Sequence, residues 1–200
     1  MNLVDLILYV GIFVFAATGA LKARTHRMDI FGAGVLAFVT AYGGGTLRDL
    51  LIGIRPVNWM NDYVALVLVF CAVGIVSLLK TNVNRFTRTL FFTDAIGLGL
   101  FTIGGIERSL SHGVNEGYAI IMGVMSATFG GLVADVISNT VPALLKKGEL
   151  YATACAIGGI IFIVLRYLGT RQDINLWVCI VIVVAVRVLS KVKRVRLPEI

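Results

Sequence analysis

The sequence has little charge, few cysteines and few histidines, and each shortage excludes a class of protein or site. Charged residues make up 14% of the 200 residues, against about 25% in ordinary soluble domains. So few charges cannot cover a water-facing surface, which excludes a soluble enzyme, a disordered protein and a nucleic-acid-binding domain. The three cysteines lie singly in apolar runs and the two histidines are far apart, so we expect packing cysteines and no metal site.

Apolar residues are abundant, at 58% of the chain with a mean hydropathy of +0.92. A membrane-spanning helix needs about 20 mainly apolar residues, and the sequence contains seven such runs. We therefore predict an all-α membrane protein in which residues 1–200 form a single transmembrane domain. The predicted transmembrane helices cover residues 3–22, 30–54, 63–79, 90–107, 117–141, 150–168 and 174–190.

Basic residues are unevenly distributed among the connections. Most lysines and arginines follow the first, third, fifth and seventh spans, which all end on the same side of the membrane. Because cytoplasmic loops carry an excess of Lys and Arg, this pattern predicts an inner (plasma) membrane protein with its amino terminus outside and its carboxyl terminus in the cytoplasm. The basic tail after the last span is expected to contact anionic membrane lipid. Its basic residues are Lys191, Lys193, Arg194 and Arg196.

Two halves of the chain match each other at an offset of 86 residues. The motif Gly-Gly-x-x-x-Asp, with a proline seven residues after the aspartate, occurs at 44–56 and again at 130–142. Each half contains three spans, an odd number, so the two copies must cross the membrane in opposite directions. The sequence therefore predicts an inverted 3+3 repeat, with copies at about 3–79 and 90–168 and the seventh helix outside it.

Consecutive glycines lie near the middle of the second and fifth spans, at 43–45 and 130–131. Glycine costs about 1 kcal/mol in a helix relative to alanine, so we expect both helices to be kinked and broken there. A break would leave peptide carbonyls able to replace water around a cation, provided that protein or a water-filled cavity surrounds them. Asp49 and Asp135, about one turn later, are costly inside a membrane and are therefore predicted to line an ion pathway.

Each polar candidate for the ion pathway also has an alternative, purely structural interpretation. Asp49 and Asp135 would instead cap a half-helix, and Asp94 would cap the start of the fourth span. Arg48 is expected to pair with a carboxylate or to plug the pathway. Hydroxyl groups before the second break would bind an ion or their own helix backbone. The full set of candidate pathway residues is Gly43, Gly44, Gly45, Thr46, Arg48, Asp49, Asp94, Ser126, Thr128, Gly130, Gly131 and Asp135.

Two motifs and the overall plan resemble the prokaryotic trimeric intracellular cation (TRIC) channels. The motifs read Gly-Gly-Gly-Thr-Leu-Arg-Asp at 43–49 and Asp-Ala-Ile-Gly-Leu-Gly at 94–99, and the resemblance extends over about residues 5–190. It implies a homotrimer in which each protomer carries its own pore through the inverted repeat, past the two kinked helices. It also implies passage of monovalent cations, chiefly K⁺ with Na⁺ also permeating, and no cofactor besides the permeating ion. The lipid-binding basic motif of the animal members has no clear match.

A secondary transporter of a small amino acid such as glycine is the alternative. Related bacterial sequences have been grouped as glycine transporters, and inverted repeats with discontinuous helices are typical of transporters. A membrane enzyme is not expected, because neither a nucleophile with its base nor a His/Cys cluster is visible. A retinal protein is not expected either, because residues 174–190 contain no lysine for a Schiff base. The channel is therefore the favoured interpretation, and the transporter stays open.

Overall fold

The computed structural model describes residues 3–78, 83–146, 150–193 and 195. In that part of the chain, seven α-helices correspond one to one to the seven predicted spans, which confirms the all-α fold class. The helices are α1 (Leu3–Thr25), α2 (Ile30–Leu51), α3 (Tyr63–Leu78), α4 (Val83–Ser111), α5 (Glu116–Ile137), α6 (Ala152–Tyr167) and α7 (Gln172–Lys193). Two short 3-10 segments, Asn58–Asn61 and Ala143–Leu145, follow α2 and α5.

Most of these helices are long enough to span a membrane. Within the described residues, five helices are long and apolar enough to cross it, namely α1, α2, α4, α5 and α7. The third helix of each half is shorter, since α3 and α6 have 16 residues each. At 1.5 Å per residue they are about 24 Å long, less than the roughly 30 Å of bilayer hydrocarbon. The chain is therefore a multi-pass membrane protein.

Equivalent polar residues begin α2 and α5. Asp29 Oδ1 accepts a hydrogen bond from Gly32 N at 2.7 Å, and Asn115 Oδ1 accepts one from Tyr118 N at 3.1 Å. Both residues have extended backbone just before the helix, the conformation typical of an N-cap. Asp29 and Asn115 are 86 positions apart, so the two halves start their second helix in the same way.

The predicted break of the second and fifth spans at their glycines is wrong. α2 is helical without interruption from Ile30 to Leu51, and α5 from Glu116 to Ile137. An unbroken helix keeps its peptide groups hydrogen-bonded within the helix, which is the less costly arrangement in lipid. The chain leaves each helix only after the aspartate of the repeated motif.

The glycines instead let α2 and α5 cross with their backbones in contact. A methyl group on Gly44 would overlap the carbonyl oxygen of Ser126, and one on Gly130 would overlap the carbonyl oxygen of Thr40. The two contacts are reciprocal, because Gly130 lies 86 positions after Gly44 and Ser126 lies 86 positions after Thr40. They also show that the two helices are antiparallel at the crossing. Close approach of this kind is the usual reason for small residues between membrane helices.

A second reciprocal contact joins α1 to α4. The rings of Phe15 and Phe101 stack with their centroids 4.8 Å apart and their planes 8° from parallel. Each ring lies over a glycine of the other helix, Phe15 over Gly97 and Phe101 over Gly11, and fills the space that a methyl group would need. The centre of the fold is therefore built from equivalent residues of the two halves.

Candidate ion pathway

Two cavities lie on opposite sides of the α2–α5 crossing. We call the smaller one, of about 40 Å³, the Asp49 cavity and the larger one, of about 310 Å³, the Asp135 cavity. Because α2 and α5 are antiparallel, their carboxyl-terminal halves line different cavities. The Asp49 cavity is lined by Leu8, Ile12, Ala41, Tyr42, Gly45, Thr46, Arg48, Asp49, Asn58, Trp59, Asp62, Ala65 and Phe101. The Asp135 cavity is lined by Thr18, Gly19, Lys22, Thr25, His26, Thr40, Leu90, Phe91, Asp94, Gly131, Ala134, Asp135, Thr140, Ala143, Lys146, Tyr151, Arg187 and Lys191.

Asp49 is buried, with 1% of its surface exposed, and both carboxylate oxygens accept hydrogen bonds. Oδ1 accepts from Nε and Nη2 of Arg48, at 3.0 and 2.7 Å, and Oδ2 accepts from the backbone N of Asn58 at 3.1 Å. Arg48 also donates from Nη1 to Ser126 Oγ, on α5, at 3.0 Å. The Arg48–Asp49 ion pair therefore bridges α2 and α5 at the wall of the Asp49 cavity.

Asp135 has the same kind of backbone partner but a different cation. Its Oδ2 accepts a hydrogen bond from the backbone N of Ala143 at 2.8 Å. Its Oδ1 forms an ion pair with Nζ of Lys22, from α1, and lies 3.3 Å from Thr140 Oγ1. Lys22 and Asp135 both line the wide Asp135 cavity. This second ion pair therefore borders the larger cavity, and its side chains are 13% and 12% exposed, against 5% and 2% for the more enclosed Arg48–Asp49 pair.

Both aspartates cap a loop rather than the half-helix predicted for them. Each carboxylate accepts the N–H of the first residue of a 3-10 segment, Asn58 in one half and Ala143 in the other. The backbone carbonyl of Asp49 accepts from Ile54 N at 2.8 Å, and that of Asp135 from Thr140 N at 3.0 Å. The half-helix role is wrong because α2 and α5 are unbroken, and the aspartates lie near their ends.

Asp94 lies well inside α4, which begins at Val83, so the predicted role as a helix cap is wrong. Its carboxylate accepts a hydrogen bond from Tyr151 Oη at 2.8 Å and pairs with Nη2 of Arg187 at 3.3 Å. The guanidinium carbon of Arg187 is 4.6 Å from the centroid of the Tyr151 ring. These three side chains line one wall of the Asp135 cavity and join α4, α7 and the start of α6.

Tyr151 and Arg187 were not among the predicted pathway residues. A tyrosine near the end of a span is typical of the membrane interface, so the sequence carried no signal that Tyr151 is buried, with 4% of its surface exposed. Arg187 did carry a signal, because an arginine inside a membrane helix is costly and usually faces the protein interior. It is 2% exposed.

The other predicted hydroxyl groups are bonded within the protein. Thr128 Oγ1 donates to the carbonyl of Val124, on its own helix, at 2.8 Å, which is the structural alternative predicted for it. Thr46 Oγ1 accepts a hydrogen bond from Trp59 Nε1 at 2.9 Å. Gly43 lies against the backbone of Gly130 at the crossing.

The basic tail is described only in part. Lys191 lines the Asp135 cavity, with its Nζ 3.7 Å from the centroid of the Phe91 ring, and Lys193 is exposed at the end of α7. Arg194 and Arg196 lie outside the described residues, and lipid contact of this tail stays a prediction. Among the described residues, no group of three or more His, Cys, Asp and Glu side chains is arranged to hold a metal ion.

Comparison with known families and relatives places the chain among small bacterial membrane proteins. The family model described as "Glycine transporter" matches this chain twice, over residues 5–81 and 91–167. The "UPF0126 membrane protein" of Vibrio cholerae is 42% identical over 162 residues, which cover 80% of this chain and 66% of that protein. The "UPF0126 inner membrane protein YadS" of Escherichia coli K12 is 38% identical over 153 residues, covering 76% of this chain and 73% of that one. The "UPF0126 membrane protein YvgT" of Bacillus subtilis is 33% identical over 197 residues, covering 98% and 95%.

Solved structures share the fold along nearly the whole chain. The TRIC trimeric intracellular cation channel orthologue from Rhodobacter sphaeroides is 34% identical with a TM-score of 0.87, covering 98% of this chain and 100% of that one. A TRIC cation channel solved in a study of conductance is 33% identical with a TM-score of 0.86, covering 100% and 98%. A prokaryotic TRIC channel solved in 0.5 M KCl is 29% identical with a TM-score of 0.85, covering 97% and 98%.

Proposed function

Since the chain belongs to the prokaryotic TRIC family, we propose that it forms a channel for monovalent cations. The observation that carries the proposal is the pair of cavities on opposite sides of the α2–α5 crossing, each lined by an aspartate of the same repeated motif. A path that joined the two cavities would cross the protein between α2 and α5. The chain is not an enzyme, because the solved proteins that it resembles over its length are channels.

We propose that K⁺ is the main permeating ion and that Na⁺ also passes. Asp49 and Asp135 would favour cations over anions along the path. Strong discrimination between K⁺ and Na⁺ relies on rings of backbone carbonyls in known filters. The unbroken helices α2 and α5 offer no such carbonyls at mid-span, so the preference for K⁺ over Na⁺ should be modest.

The proposed assembly is a homotrimer with one pore in each protomer, built by an inverted repeat. The reciprocal contacts of Gly44 with Ser126 and of Gly130 with Thr40 support the repeat. Both cavities adjoin the α2–α5 crossing and are lined by buried side chains of the helix bundle, such as Asp49 and Arg187, which supports a pore within each protomer rather than between protomers. The Asp135 cavity is lined by several lysines and by Arg187, which supports its assignment to the cytoplasmic side under the positive-inside rule.

We propose that Arg48 is the barrier between the two cavities. Its guanidinium group holds Asp49 and reaches across to Ser126 on α5, so it occupies the space between the two helices. A cation approaching from either side would find this space filled by the guanidinium group, which already holds the carboxylate of Asp49. Conduction therefore requires Arg48 to leave Ser126, after which Asp49 would face the path. The second half has Ala134 at the position of Arg48 and so adds no second barrier of this kind.

A secondary transporter of a small amino acid such as glycine is the second candidate. The observation that favours it is the separation of the two cavities by the α2–α5 crossing, which is the arrangement expected for alternating access. In that case Arg48 would bind the substrate carboxylate rather than block a cation.

Recording from purified protein in planar bilayers with unequal KCl separates the two candidates. The channel proposal predicts discrete unitary currents. It also predicts a reversal potential that is shifted from zero toward the equilibrium potential of K⁺ and away from that of Cl⁻. Absence of unitary currents, together with saturable glycine uptake into liposomes made from the same preparation, would replace the channel by the transporter. Empty liposomes and bilayers without protein serve as the matched controls.

A further inference from the structure

The seventh helix, which lies outside the inverted repeat, adds charge to one of the two cavities. The repeat by itself places equivalent residues at both, since Gly45 lines the Asp49 cavity and Gly131, 86 positions later, lines the Asp135 cavity. α7 contributes Arg187 and Lys191 to the Asp135 cavity, and among the described residues none from α7 lines the Asp49 cavity. The two cavities therefore differ electrically in a way that the repeat does not produce.

The Asp135 cavity has more cations than carboxylates. Four lysine and arginine side chains line it, namely Lys22, Lys146, Arg187 and Lys191. Its two carboxylates, Asp94 and Asp135, each form an ion pair with one of these side chains. Lys146 and Lys191 are exposed and form no ion pair among the described residues. Nζ of Lys191 lies 3.7 Å from the centroid of the Phe91 ring, a contact that holds the ammonium at the cavity. The cavity thus has an excess of two positive charges.

The Asp49 cavity has no such excess. Its charged lining consists of Arg48, Asp49 and Asp62, and the first two of these pair with each other. The charge of Asp62 is offset by Arg108, which donates to the side chain of Asn58 at the edge of this cavity. The Asp49 cavity is therefore close to neutral, and the proposed path has a neutral end and a positive end.

We propose that Lys146 and Lys191 make cation flow through this path depend on its direction. The inference rests on the proposed channel function. In water at an ionic strength of about 0.1 M, two fixed positive charges within about 8 Å lower the local concentration of a monovalent cation about twofold. Cations are therefore scarcer at the Asp135 cavity, and flow that starts there is slower. With the Asp135 cavity on the cytoplasmic side, inward current exceeds outward current.

Unitary currents of the purified full-length protein in planar bilayers measure this asymmetry. With KCl of about 0.1 M on both sides, currents at equal voltages of opposite sign should differ about twofold. The difference should largely disappear at about 1 M KCl, where the screening length falls from about 10 Å to about 3 Å. It should also disappear in Lys146→Met/Lys191→Met, which gives position 146 the methionine of its equivalent, Met60. Lys193→Met is the matched control, because Lys193 is exposed on α7 but lines neither cavity.

Thiol modification measures the charge of the Asp135 cavity whether or not ions pass. Thr25→Cys places a thiol at an exposed position of its lining, and Cys71, which is exposed, is replaced by alanine. A cationic and an anionic methanethiosulfonate reagent of similar size are compared. Both rates depend equally on the thiolate fraction, so their ratio reports the local charge. The ratio of the anionic to the cationic rate should fall about fourfold in Lys146→Met/Lys191→Met, the square of the twofold effect on one charge, and stay unchanged in Lys193→Met.

The two measurements separate this proposal from the channel function on which it rests. An unchanged ratio of rates in Lys146→Met/Lys191→Met overturns the proposal, since the two lysines then do not set the charge of the cavity. Equal currents in both directions overturn it as well, and so does an asymmetry that survives the double substitution. Absence of unitary currents refutes the channel function, and the proposed direction of its current with it, whatever the ratio of rates.

Discussion

The two halves of the molecule carry the same aspartate in the same loop but supply it with different cations. Asp49 and Asp135 each accept the N–H of the first residue of the following 3-10 segment. Asp49 pairs with its neighbour Arg48 at a cavity of about 40 Å³, whereas Asp135 pairs with Lys22 of another helix at a cavity of about 310 Å³. The shared loop therefore fixes the carboxylate, and the cation partner distinguishes an enclosed site from an open one.

Arg48 accounts for much of this difference between the two ion pairs. Lys22 has Arg108 as its equivalent in the second half, and Arg108 donates from Nη2 to Asn58 Oδ1 at 2.9 Å rather than pairing with Asp49. The Oδ1 atom of Asp49 is already held by Arg48, where the second half has Ala134. An arginine in place of alanine thus replaces an ion pair between helices by one within α2.

The largest effect is expected at the α2–α5 crossing, to which both halves of the molecule contribute. Gly44→Leu or Gly130→Leu forces a side chain against backbone carbonyls, which should cost about 3 kcal/mol or more, at the upper end for overpacking. We expect loss of folded protein in size-exclusion chromatography and a lower thermal stability in detergent. Gly34→Leu is the control, since a methyl group at that site would meet no side chain and no other helix within 4 Å among the described residues. Equal behaviour of Gly44→Leu and Gly34→Leu would contradict the proposed crossing.

The next largest effect is a difference in stability between variants of the Arg48–Asp49 ion pair and variants of the Lys22–Asp135 ion pair. Asp49→Asn leaves the guanidinium of Arg48 buried without its carboxylate, and breaking such a pair costs about 3–5 kcal/mol. Asp135→Asn should cost less, about 1–2 kcal/mol, because Lys22 borders a wide cavity and the main loss is hydrogen bonding. The measurement is the free energy of unfolding of both variants in the same detergent. An equal loss, or the reverse order, would show that the enclosed and open sites do not differ as described.

A third test compares the two aspartates in conduction. Replacing both by asparagine should move the reversal potential in unequal KCl toward zero, because the path loses its negative charges. Asp135→Asn alone should produce the larger part of this shift, since Asp135 borders the wide cavity and Asp49 is held by Arg48. Asp173→Asn is a suitable control, because Asp173 pairs with Arg171 in an exposed position at the start of α7. Unchanged reversal potentials in the double variant would remove both aspartates from the path.

The smallest effect distinguishes two hydroxyl groups of α5. Ser126→Ala removes a hydrogen bond to the guanidinium of Arg48 and should lower the free energy of unfolding by about 1.5 kcal/mol or more. Thr128→Val should lower it by only about 0.5 kcal/mol, since the Thr128 hydroxyl donates a neutral hydrogen bond to its own helix backbone, at the low end for such bonds. Thermal unfolding of both variants in parallel gives the comparison. A larger loss for Thr128→Val would mean that Thr128, and not Ser126, contributes to the link between α2 and α5.

Local patterns in the sequence were enough to predict the helices. Hydropathy marks seven apolar runs, and the starts of α2 and α5 differ by one residue at most from their predicted positions. Only the predicted break at the glycines was wrong, because helix propensity is a local quantity. The neighbours that decide whether glycine breaks a membrane helix come from elsewhere in the chain. Gly44 and Gly130 face carbonyls of the opposite half, and their small size is used for packing.

The ion pairs show the same division between local and distant information. The pairing of Arg48 with a carboxylate follows from adjacency and from the cost of charge in lipid. Lys22 and Asp135 are 113 residues apart, and nothing in either segment identifies the other as its partner. Tyr151 was equally hidden, because only the packing of α6 beside α4 brings its hydroxyl to Asp94.

The central claim is that Arg48 closes the path between the two cavities, and recordings of Arg48→Met/Asp49→Asn test it most directly. This double variant removes the guanidinium without leaving an unpaired charge, and Asp49→Asn alone, which keeps Arg48 beside Ser126, is the matched control. In planar bilayers with equal KCl on both sides, the account predicts longer open times or larger unitary currents for the double variant than for the control. Currents equal to those of the control would contradict the account and locate the barrier elsewhere along the α2–α5 crossing.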